Sequence, residues 1–437
     1  MAVTVRLRAP VKAAFAADMN FPGSTREFTH AIHSFAARFP PRLPRHFINE
    51  LSAPGDTVLD PMMGSGTTIL EAALSGRVGV GFDIDPLAVL ITQVKTSPCD
   101  PAEVERIGAE VLRKSADDFR GLRADRNLRT DRLADYGEEA RAFFDYWFNQ
   151  ETVTELLAIL GQIRTVKEPT VRNALLVAFS SMVITKSAGV TLARDIAHTR
   201  PHKWAGKEPA SAFDLFPKTV RKLAAGLSEL TVEIQRINGR WTTPKLQQGD
   251  ARHLPLPDNS VDLVVTSPPY ATALDYMRAN KFTLSWLGYP MADLTRLRGS
   301  YIGTESRPDP SESVPRMTSL EMLLLKIAEV NKARSRVVGA YFSSMLRTFS
   351  ELHRVMKPGA HAIVVIGPSG YKGIEIPTHL LLADGAAMTG FSVTGVKERE
   401  IDRNGRQMPM TFFSAKQGIE ARIHTEFILG FVKPSNA

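Results

Sequence analysis

The sequence predicts an α/β fold: a doubly wound, mostly parallel sheet with an antiparallel edge and a helical insertion. The pattern of residues 56–83 predicts a strand, a glycine turn, a helix and a second strand. Strands and helices return after residue 244 and end in two strands, whereas the stretch between the two parts carries only helical periodicity. Because parallel strands need a crossover, this order predicts one open sheet interrupted by an insertion.

The first unit is the clearest part of the pattern. Residues 56–60 (DTVLD) predict a short strand, residues 63–66 (MGSG) a turn, and residues 67–75 a helix. Residues 78–82 (VGVGF) predict the second strand, which ends at Asp83. Such a unit places a ligand site at the carboxyl ends of its strands.

The rest of the chain divides into three regions. We expect residues 1–100 to form the N-terminal part of the core, residues 101–243 a mostly helical insertion, and residues 244–437 the C-terminal part, with a second insertion at about 280–336. In the C-terminal part, strands are predicted at 246–247, 261–265, 361–366, 391–396 and 426–432, and helices at 341–356 and 377–390.

Composition limits the class of protein. The 437 residues are 43% hydrophobic and 23% charged, as in ordinary globular proteins, and the net charge of +8 favours an anionic partner such as nucleic acid. The single cysteine, Cys99, excludes disulfides within the chain and multi-cysteine zinc sites. No signal peptide, membrane span or metal-ligand spacing is recognised, so we expect a cytoplasmic protein without a membrane partner or a metal.

The glycine turn lies in residues 60–68 (DPMMGSGTT), after the first strand. A P-loop needs a lysine after the last glycine, and a dinucleotide fingerprint needs a third glycine at Ile69, so neither phosphate site fits. Asp83 stands where an acid binds ribose hydroxyls. Glycines and a ribose acid suit a nucleoside without pyrophosphate, such as S-adenosylmethionine. The alternative is a plain strand-to-helix turn beside a solvated acid.

Residues 266–270 (TSPPY) follow the apolar strand at 261–265. Alone they could be a Pro-Pro turn that caps a strand. Together with DPMMGSGTT and GFDIDP (residues 81–86), they resemble the DNA amino-methyltransferases, which use S-adenosylmethionine to methylate the exocyclic amine of adenine or cytosine. The catalytic motif of that family is Asp/Asn/Ser-Pro-Pro-Tyr/Phe/Trp. The resemblance covers most of residues 30–100 and 245–437 and implies a Rossmann-like class I methyltransferase fold.

The motif implies four catalytic residues: Ser267, Pro268, Pro269 and Tyr270. An exocyclic amine is a weak nucleophile because its lone pair is delocalised into the ring. The Ser267 hydroxyl and the Pro268 carbonyl can accept its two hydrogens, and prolines hold these acceptors rigidly. Tyr270 offers a flat face for a base extruded from the duplex.

The resemblance also implies a cofactor site. An acid at Asp250 would bond the adenine amine of the cofactor, and residues 33–40 (HSFAARFP) resemble the segment that closes over its methionine end. Met62 would contribute a backbone contact. The predicted cofactor-binding residues are Phe39, Pro40, Asp60, Met62, Gly64, Ser65, Gly66, Thr67, Asp83 and Asp250.

DNA is the expected partner, and basic residues in both insertions are candidates for phosphate contacts. They are Arg194, Arg200, Lys203, Lys207, Arg334 and Arg336. For any single one of them, a solvated charged face is the more common explanation. We expect residues 101–243 to help select the DNA sequence and residues 280–336 to shape the base pocket or clamp the strand.

Several alternatives stay open. Serine at the first motif position is commoner in the cytosine-N4 members of the family, so cytosine N4 is the expected target, with adenine N6 as the alternative. An RNA guanine-N2 methyltransferase would use the same core, and a non-catalytic nucleic-acid-binding module is a further alternative. Carbon-5 chemistry is disfavoured because Pro98-Cys99 does not follow the fourth strand. The sequence decides neither the oligomeric state nor whether a restriction endonuclease is a partner.

Overall fold

The computed structural model describes most of the chain. The described residues are 9–21, 25–35, 39–185, 189–194, 196, 201–204, 206–271, 275–304, 316–401 and 424–435.

Within the described ranges, the strands form one seven-stranded sheet and two two-stranded sheets. They are β1 (Thr57–Asp60), β2 (Val78–Asp83), β3 (Ala193–Arg194), β4 (His202–Lys203), β5 (Lys245–Gln248), β6 (Val261–Thr266), β7 (Met356–Ile366), β8 (Ser369–Tyr371), β9 (Ile374–Ile376), β10 (Ser392–Glu400) and β11 (Thr425–Val432).

The helices cover both faces of the sheet and form the first insertion. They are α1 (Ala9–Ala16), α2 (Arg42–Leu51), α3 (Thr67–Leu74), α4 (Pro86–Thr96), α5 (Pro101–Ala124), α6 (Arg126–Ala134), α7 (Glu138–Trp147), α8 (Gln150–Arg164), α9 (Pro169–Val183), α10 (Ala212–Arg236), α11 (Tyr276–Trp286), α12 (Met291–Ser300), α13 (Thr318–Val330), α14 (Lys332–Val355) and α15 (Thr378–Met388).

The large sheet has the order β10-β11-β7-β6-β1-β2-β5. Strands β5, β2, β1, β6 and β7 pair in parallel, and β11 runs antiparallel to both of its neighbours, β7 and β10. The mostly parallel sheet with an antiparallel edge is therefore confirmed. The reversed strand, β11, lies one position inside the edge, between β7 and β10.

Strand order brings the two predicted motifs together. Strand β1 lies between β2 and β6, with Val58 opposite Leu263 and Leu59 opposite Val264. The chain therefore leaves β1 and β6 side by side at the same edge of the sheet, although about two hundred residues separate them in sequence.

Alternate residues of the strands enter two cores. Val58 and Leu263 pack with α1 and α2, whereas Leu59 and Val264 pack with α14 and α15. This period of two is what a sheet covered on both faces requires.

A third core holds the helical insertion. Helices α5 and α7–α10 pack together, and Trp286 of α11 joins them by stacking on Phe144 at 3.9 Å between ring centroids. The helix that follows the TSPPY segment is thus built into the insertion. Among the described residues, none of the helices has both the length and the apolar content that crossing a membrane requires.

Candidate active site

A cleft of about 1040 Å³, open to solvent, lies at the carboxyl ends of β1, β2 and β6. The glycine turn forms one wall, and Ser267 and Pro269 form part of another. Asp275 and Tyr276, at the start of α11, and the segment 300–304 complete it. The strand ends of an open α/β sheet thus contribute the polar groups, and the start of α11 and the segment 300–304 of the second insertion contribute the roof.

The glycine turn is shaped by Gly66, which stands at the N-cap of α3 with a left-handed φ of +73°. A Cβ atom there would lie 2.3 Å from Thr92 Cγ2. Thr92 in turn donates its hydroxyl to the Gly64 carbonyl at 3.0 Å. Only glycine fits this position, and the turn leaves the N-terminus of α3 at the cleft, where Ser65 and Thr67 line it.

Asp83 lies at the floor of the cleft. Its carboxylate accepts hydrogen bonds from the backbone N–H groups of Gly64 (2.8 Å) and Asp85 (2.9 Å). Burial, reinforced by the charge of Asp85, raises the pKa of Asp83 to about 7. The carboxylate has further lone pairs, so it can still accept bonds from the hydroxyls of a ligand in the cleft.

Asp60 joins the two motifs. It is buried at the end of β1, where its Oδ1 atom accepts the Thr266 hydroxyl at 2.7 Å and the Met62 N–H at 3.2 Å. Burial raises its pKa to about 6, although both of these bonds oppose the rise. Thr266 immediately precedes Ser267, so this bond fixes the start of the SPPY segment against the glycine turn.

The SPPY residues do not all face the cleft. Ser267 and Pro269 line it, Pro268 is buried, and Tyr270, which is partly exposed, is not one of the lining residues. The Tyr270 hydroxyl donates to Glu426 Oε1 at 3.1 Å. Burial and the nearby Glu426 charge hold the pKa of Tyr270 well above its usual value, so the hydroxyl stays protonated.

Two aromatic rings cover the glycine turn. Phe35 stacks on Tyr276 with centroids 5.8 Å apart and an interplanar angle of 18°, and it lies directly above Gly64. Phe39, a predicted cofactor contact, lines the cleft, whereas Pro40 is not among the lining residues. Sequence reasoning singled out Phe39 in the HSFAARFP segment and passed over Phe35. The signal for Phe35 was its place in the same segment.

Asp250 also lines the cleft, but its carboxylate is engaged by the neighbouring Arg252. Arg252 Nε and Nη2 donate to it at 2.7–3.1 Å, and Nη2 also donates to the Ser300 carbonyl at 2.9 Å. Burial would raise the pKa of Asp250, yet the bonds from Arg252 outweigh it and lower the pKa. Arg252 was not predicted, and it ties this wall to the roof segment.

The predicted phosphate contacts lie in two places. Arg194 and Lys203 are exposed on the β3–β4 hairpin, and Lys207 donates its ammonium to the Ala193 carbonyl at 2.5 Å. Arg334 and Arg336 lie in the first turns of α14. Arg200 lies outside the described residues.

Aromatic rings accompany the hairpin cations. The Arg194 guanidinium lies 4.8 Å from the centroid of the Trp204 ring, and the Lys203 ammonium lies 4.0 Å from that of Tyr146. Both rings are more than half exposed, at 53% for Trp204 and 54% for Tyr146. Exposed cation–aromatic pairs of this kind suit contact with phosphates and bases.

Known proteins resemble the chain in the same regions. A family model described as DNA methylase matches residues 17–94. The Type II methyltransferase M.MvaI of Kocuria varians is 25% identical over 83% of this chain and 81% of its own length. The Type II methyltransferase M.BsoBI of Geobacillus stearothermophilus is 23% identical over 85% and 80%.

Among solved structures, a SAM-dependent methyltransferase of Methanosarcina mazei covers 89% of this chain and 98% of its own. Its TM-score of 0.32 and identity of 11% are too low to support an inference. The DNA methylase match includes the glycine turn and Asp83, and Ser267 and Pro269 of the SPPY motif line the same cleft. The family match, the two relatives and the geometry of the motifs together support the DNA amino-methyltransferase family, with S-adenosylmethionine as the cofactor.

Proposed function

We propose that this protein is a site-specific DNA methyltransferase that methylates the exocyclic amine of an extruded base, specifically N4 of cytosine. One observation carries the proposal. Ser267 lines the same cleft as the glycine turn and Asp83, so a base that reaches Ser267 also reaches a nucleoside cofactor bound there.

The chain's own residues would make the amine reactive. The Ser267 hydroxyl and the Pro268 carbonyl accept its two hydrogens, which draws the nitrogen towards tetrahedral geometry and frees its lone pair. The two prolines and the Thr266–Asp60 bond keep these acceptors in place. When bound, S-adenosylmethionine supplies the electrophilic methyl group. Tyr270 would hold the base by stacking.

The cofactor would lie along the glycine turn. Asp83 has the position and the spare acceptor capacity to bind ribose hydroxyls, and the N-terminus of α3 faces the same space. Asp250 would bind the adenine amine while it stays paired with Arg252. The rest of the cofactor would be enclosed by backbone atoms of Met62, the side chains of Ser65 and Thr67, and the rings of Phe39 and Phe35. Pro40 and Asp60 would support these groups.

The pKa of Asp83 predicts how cofactor affinity changes with pH. Hydroxyl donors bind an ionised carboxylate better than a protonated one, so binding lowers this raised pKa. We expect affinity for S-adenosylhomocysteine to rise with pH up to about 7, by at most about tenfold per pH unit. Isothermal titration calorimetry at several pH values measures it. The folding stability of the free protein should change with pH in the opposite direction. A carboxyl whose folded pKa exceeds its unfolded pKa loses its stabilising contribution as pH rises from about 4 to 7.

The control is Asp83→Asn, which has no proton to lose. This variant should bind more weakly, and its affinity should change little around neutral pH. An equal pH dependence in both proteins would remove Asp83 from the cofactor site.

Serine at the first motif position supports cytosine over adenine, because cytosine-N4 enzymes of the family use it more often. Cells expressing the protein provide the test. Their DNA, digested to nucleosides and analysed by mass spectrometry, should contain N4-methylcytosine, which cells with the empty vector lack. N6-methyladenine instead would overturn the base assignment and keep the mechanism. A mark found only in RNA would overturn the DNA substrate, and no mark at all would favour a non-catalytic binding module.

We further propose that residues 101–243 select the DNA sequence and that residues 280–336 shape the base pocket. The exposed hairpin of Arg194 and Lys203 supports the first role, and the segment 300–304 in the cleft supports the second. Arg334 and Arg336 would add contacts from α14, and Lys207 would add one beside Ala193. Arg200 is proposed as a further contact.

The hairpin makes a specific prediction about salt dependence. Arg194→Ala and Lys203→Ala should each weaken DNA binding and reduce the slope of log Kd against log salt by about 1, because each removes one phosphate contact. Fluorescence anisotropy on duplex DNA between low and moderate salt measures the slope. The matched control is Arg120→Ala, an exposed cation of α5 outside the predicted set, which should leave the slope unchanged. An unchanged slope in both hairpin variants would place DNA elsewhere.

Both relatives are named Type II methyltransferases, and we propose a restriction endonuclease of the same specificity as partner. An extract of the source cells should then cleave unmethylated DNA and spare DNA that this protein has methylated. Equal cleavage of both would oppose the proposal.

A further inference from the structure

The hydroxyl of Tyr270 is anchored at the antiparallel edge of the sheet. It donates to Glu426 Oε1 at 3.1 Å, and Glu426 stands on β11, 156 residues away in sequence. Phenylalanine and tryptophan also occur at this position of the family motif, so the motif itself does not require a hydroxyl. The methyl-transfer chemistry that the family shares therefore does not explain the bond from Tyr270 to Glu426.

The carboxylate that receives this bond is itself held from the other side. Arg399 of β10 is the cross-strand neighbour of Glu426, and its Nε and Nη2 atoms donate to Glu426 Oε2 at 2.9 and 2.7 Å. The side chains are only 5% and 12% exposed, so the pair lies largely out of water. A buried ion pair is often no more stabilising than apolar residues of similar size, and stability alone does not explain its presence.

The ring of Tyr270 is also fitted to the backbone. Gly367 directly follows β7, and a Cβ atom at that position would lie 2.4 Å from Tyr270 Cε2 and 2.8 Å from Cζ. The ring edge thus rests on Gly367 while the hydroxyl is held by Glu426. The Gly367 contact limits rotation of the ring about χ2, and the bond to Glu426 holds the hydroxyl, which lies on that rotation axis. Together the two contacts fix both the plane and the position of the ring.

We propose that Glu426 and Arg399 are positioning residues that hold the hydroxyl end of the Tyr270 ring in place, so that an extruded base stacks on the ring in the reacting geometry. This inference rests on the proposed function. Neither residue touches the base or the cofactor. Their effect is exerted through Tyr270, and it matters most in the reacting complex, where small displacements of the base are costly.

The test uses variants that leave no buried charge unpaired. Tyr270→Phe removes only the hydroxyl, and Glu426→Leu combined with Arg399→Met replaces the ion pair by apolar side chains. Each should lower kcat for DNA methylation by roughly tenfold, because the base is less well oriented, and leave the affinity for S-adenosylhomocysteine unchanged within about twofold. The protein carrying all three changes should be no slower than the slower of the two, since they remove one and the same constraint.

A tyrosine outside the cleft provides the matched control. Tyr136 is buried in the helical insertion and donates its hydroxyl to the Trp286 carbonyl at 3.1 Å. Tyr136→Phe removes a bond of the same kind and should leave kcat unchanged. A thermal unfolding measurement on every variant separates lost activity from lost folding.

The outcomes are distinguishable. Multiplicative effects in the triple variant, or a kcat within twofold of the unmodified protein in Tyr270→Phe, would overturn the inference and leave the proposed function intact. A fall in activity that comes from weaker binding of S-adenosylhomocysteine, with kcat unchanged, would also overturn the inference and leave the proposed function intact. If the unmodified protein methylates no DNA, the proposed function fails and the inference falls with it.

Discussion

Ser267→Ala should lower kcat for DNA methylation by roughly 10²- to 10³-fold, the cost of removing one fixed hydrogen-bonding group that acts on a developing charge. The Ser267 side chain lines the cleft, and Thr266 before it is bonded to Asp60, so the hydroxyl is presented by a rigid corner. Losing it leaves one amine hydrogen without an acceptor and the nitrogen lone pair more delocalised. Single-turnover methylation with radiolabelled cofactor measures the effect, and S-adenosylhomocysteine affinity should change by less than about threefold.

Two further variants make the Ser267 result specific. Ser267→Asn keeps an oxygen acceptor, as asparagine does in other members of the family, and should retain kcat within about tenfold. Ser260→Ala removes the same atom at the opposite end of β6, where the hydroxyl bonds the Pro257 carbonyl, and should leave kcat unchanged. Full activity in Ser267→Ala would show that the hydroxyl does not accept from the amine, and the proposed mechanism would be wrong.

The parts of the site that sequence could predict are those governed by strand ends. Asp60, Asp83 and Ser267 each follow a short apolar strand, and parallel strands bring their carboxyl ends to one edge whatever lies between them. A short local pattern is therefore enough to locate such positions. In the structure, Asp60 is hydrogen-bonded to Thr266, the residue before Ser267, and Asp83 is hydrogen-bonded to Gly64 of the glycine turn.

The parts that sequence could not predict depend on which distant elements become neighbours. Glu426 is paired with Tyr270 only because β11 lies against β7, and nothing in the local pattern of β11 records that choice. The stacking of Phe35 on Tyr276 likewise joins the N-terminal segment to the helix after the SPPY motif. Arg252 is different: it stands two residues after Asp250, and an arginine so close to a predicted ligand acid was a signal available from sequence.

Gly66→Ala should weaken binding of S-adenosylhomocysteine by about a hundredfold. Alanine in the left-handed conformation costs roughly 1–2 kcal/mol. Its Cβ would also lie 2.3 Å from Thr92 Cγ2 and 2.7 Å from Oγ1, and Thr92 is fully buried. Thr92 must therefore move and lose its bond to the Gly64 carbonyl, which distorts the turn that faces the cleft.

Gly55→Ala separates the two effects of the added methyl group. Gly55 has a φ of +88°, so alanine there pays a similar backbone penalty, but no atom lies within 4 Å of the new Cβ. Both variants should lose roughly 1 kcal/mol or more of unfolding free energy. Only Gly66→Ala should also lose S-adenosylhomocysteine affinity, by about a hundredfold or roughly 2.7 kcal/mol in calorimetry. If Gly66→Ala lost stability but bound S-adenosylhomocysteine as tightly as Gly55→Ala, the cofactor would not lie on the glycine turn, and Ser267 would no longer be placed beside a methyl donor.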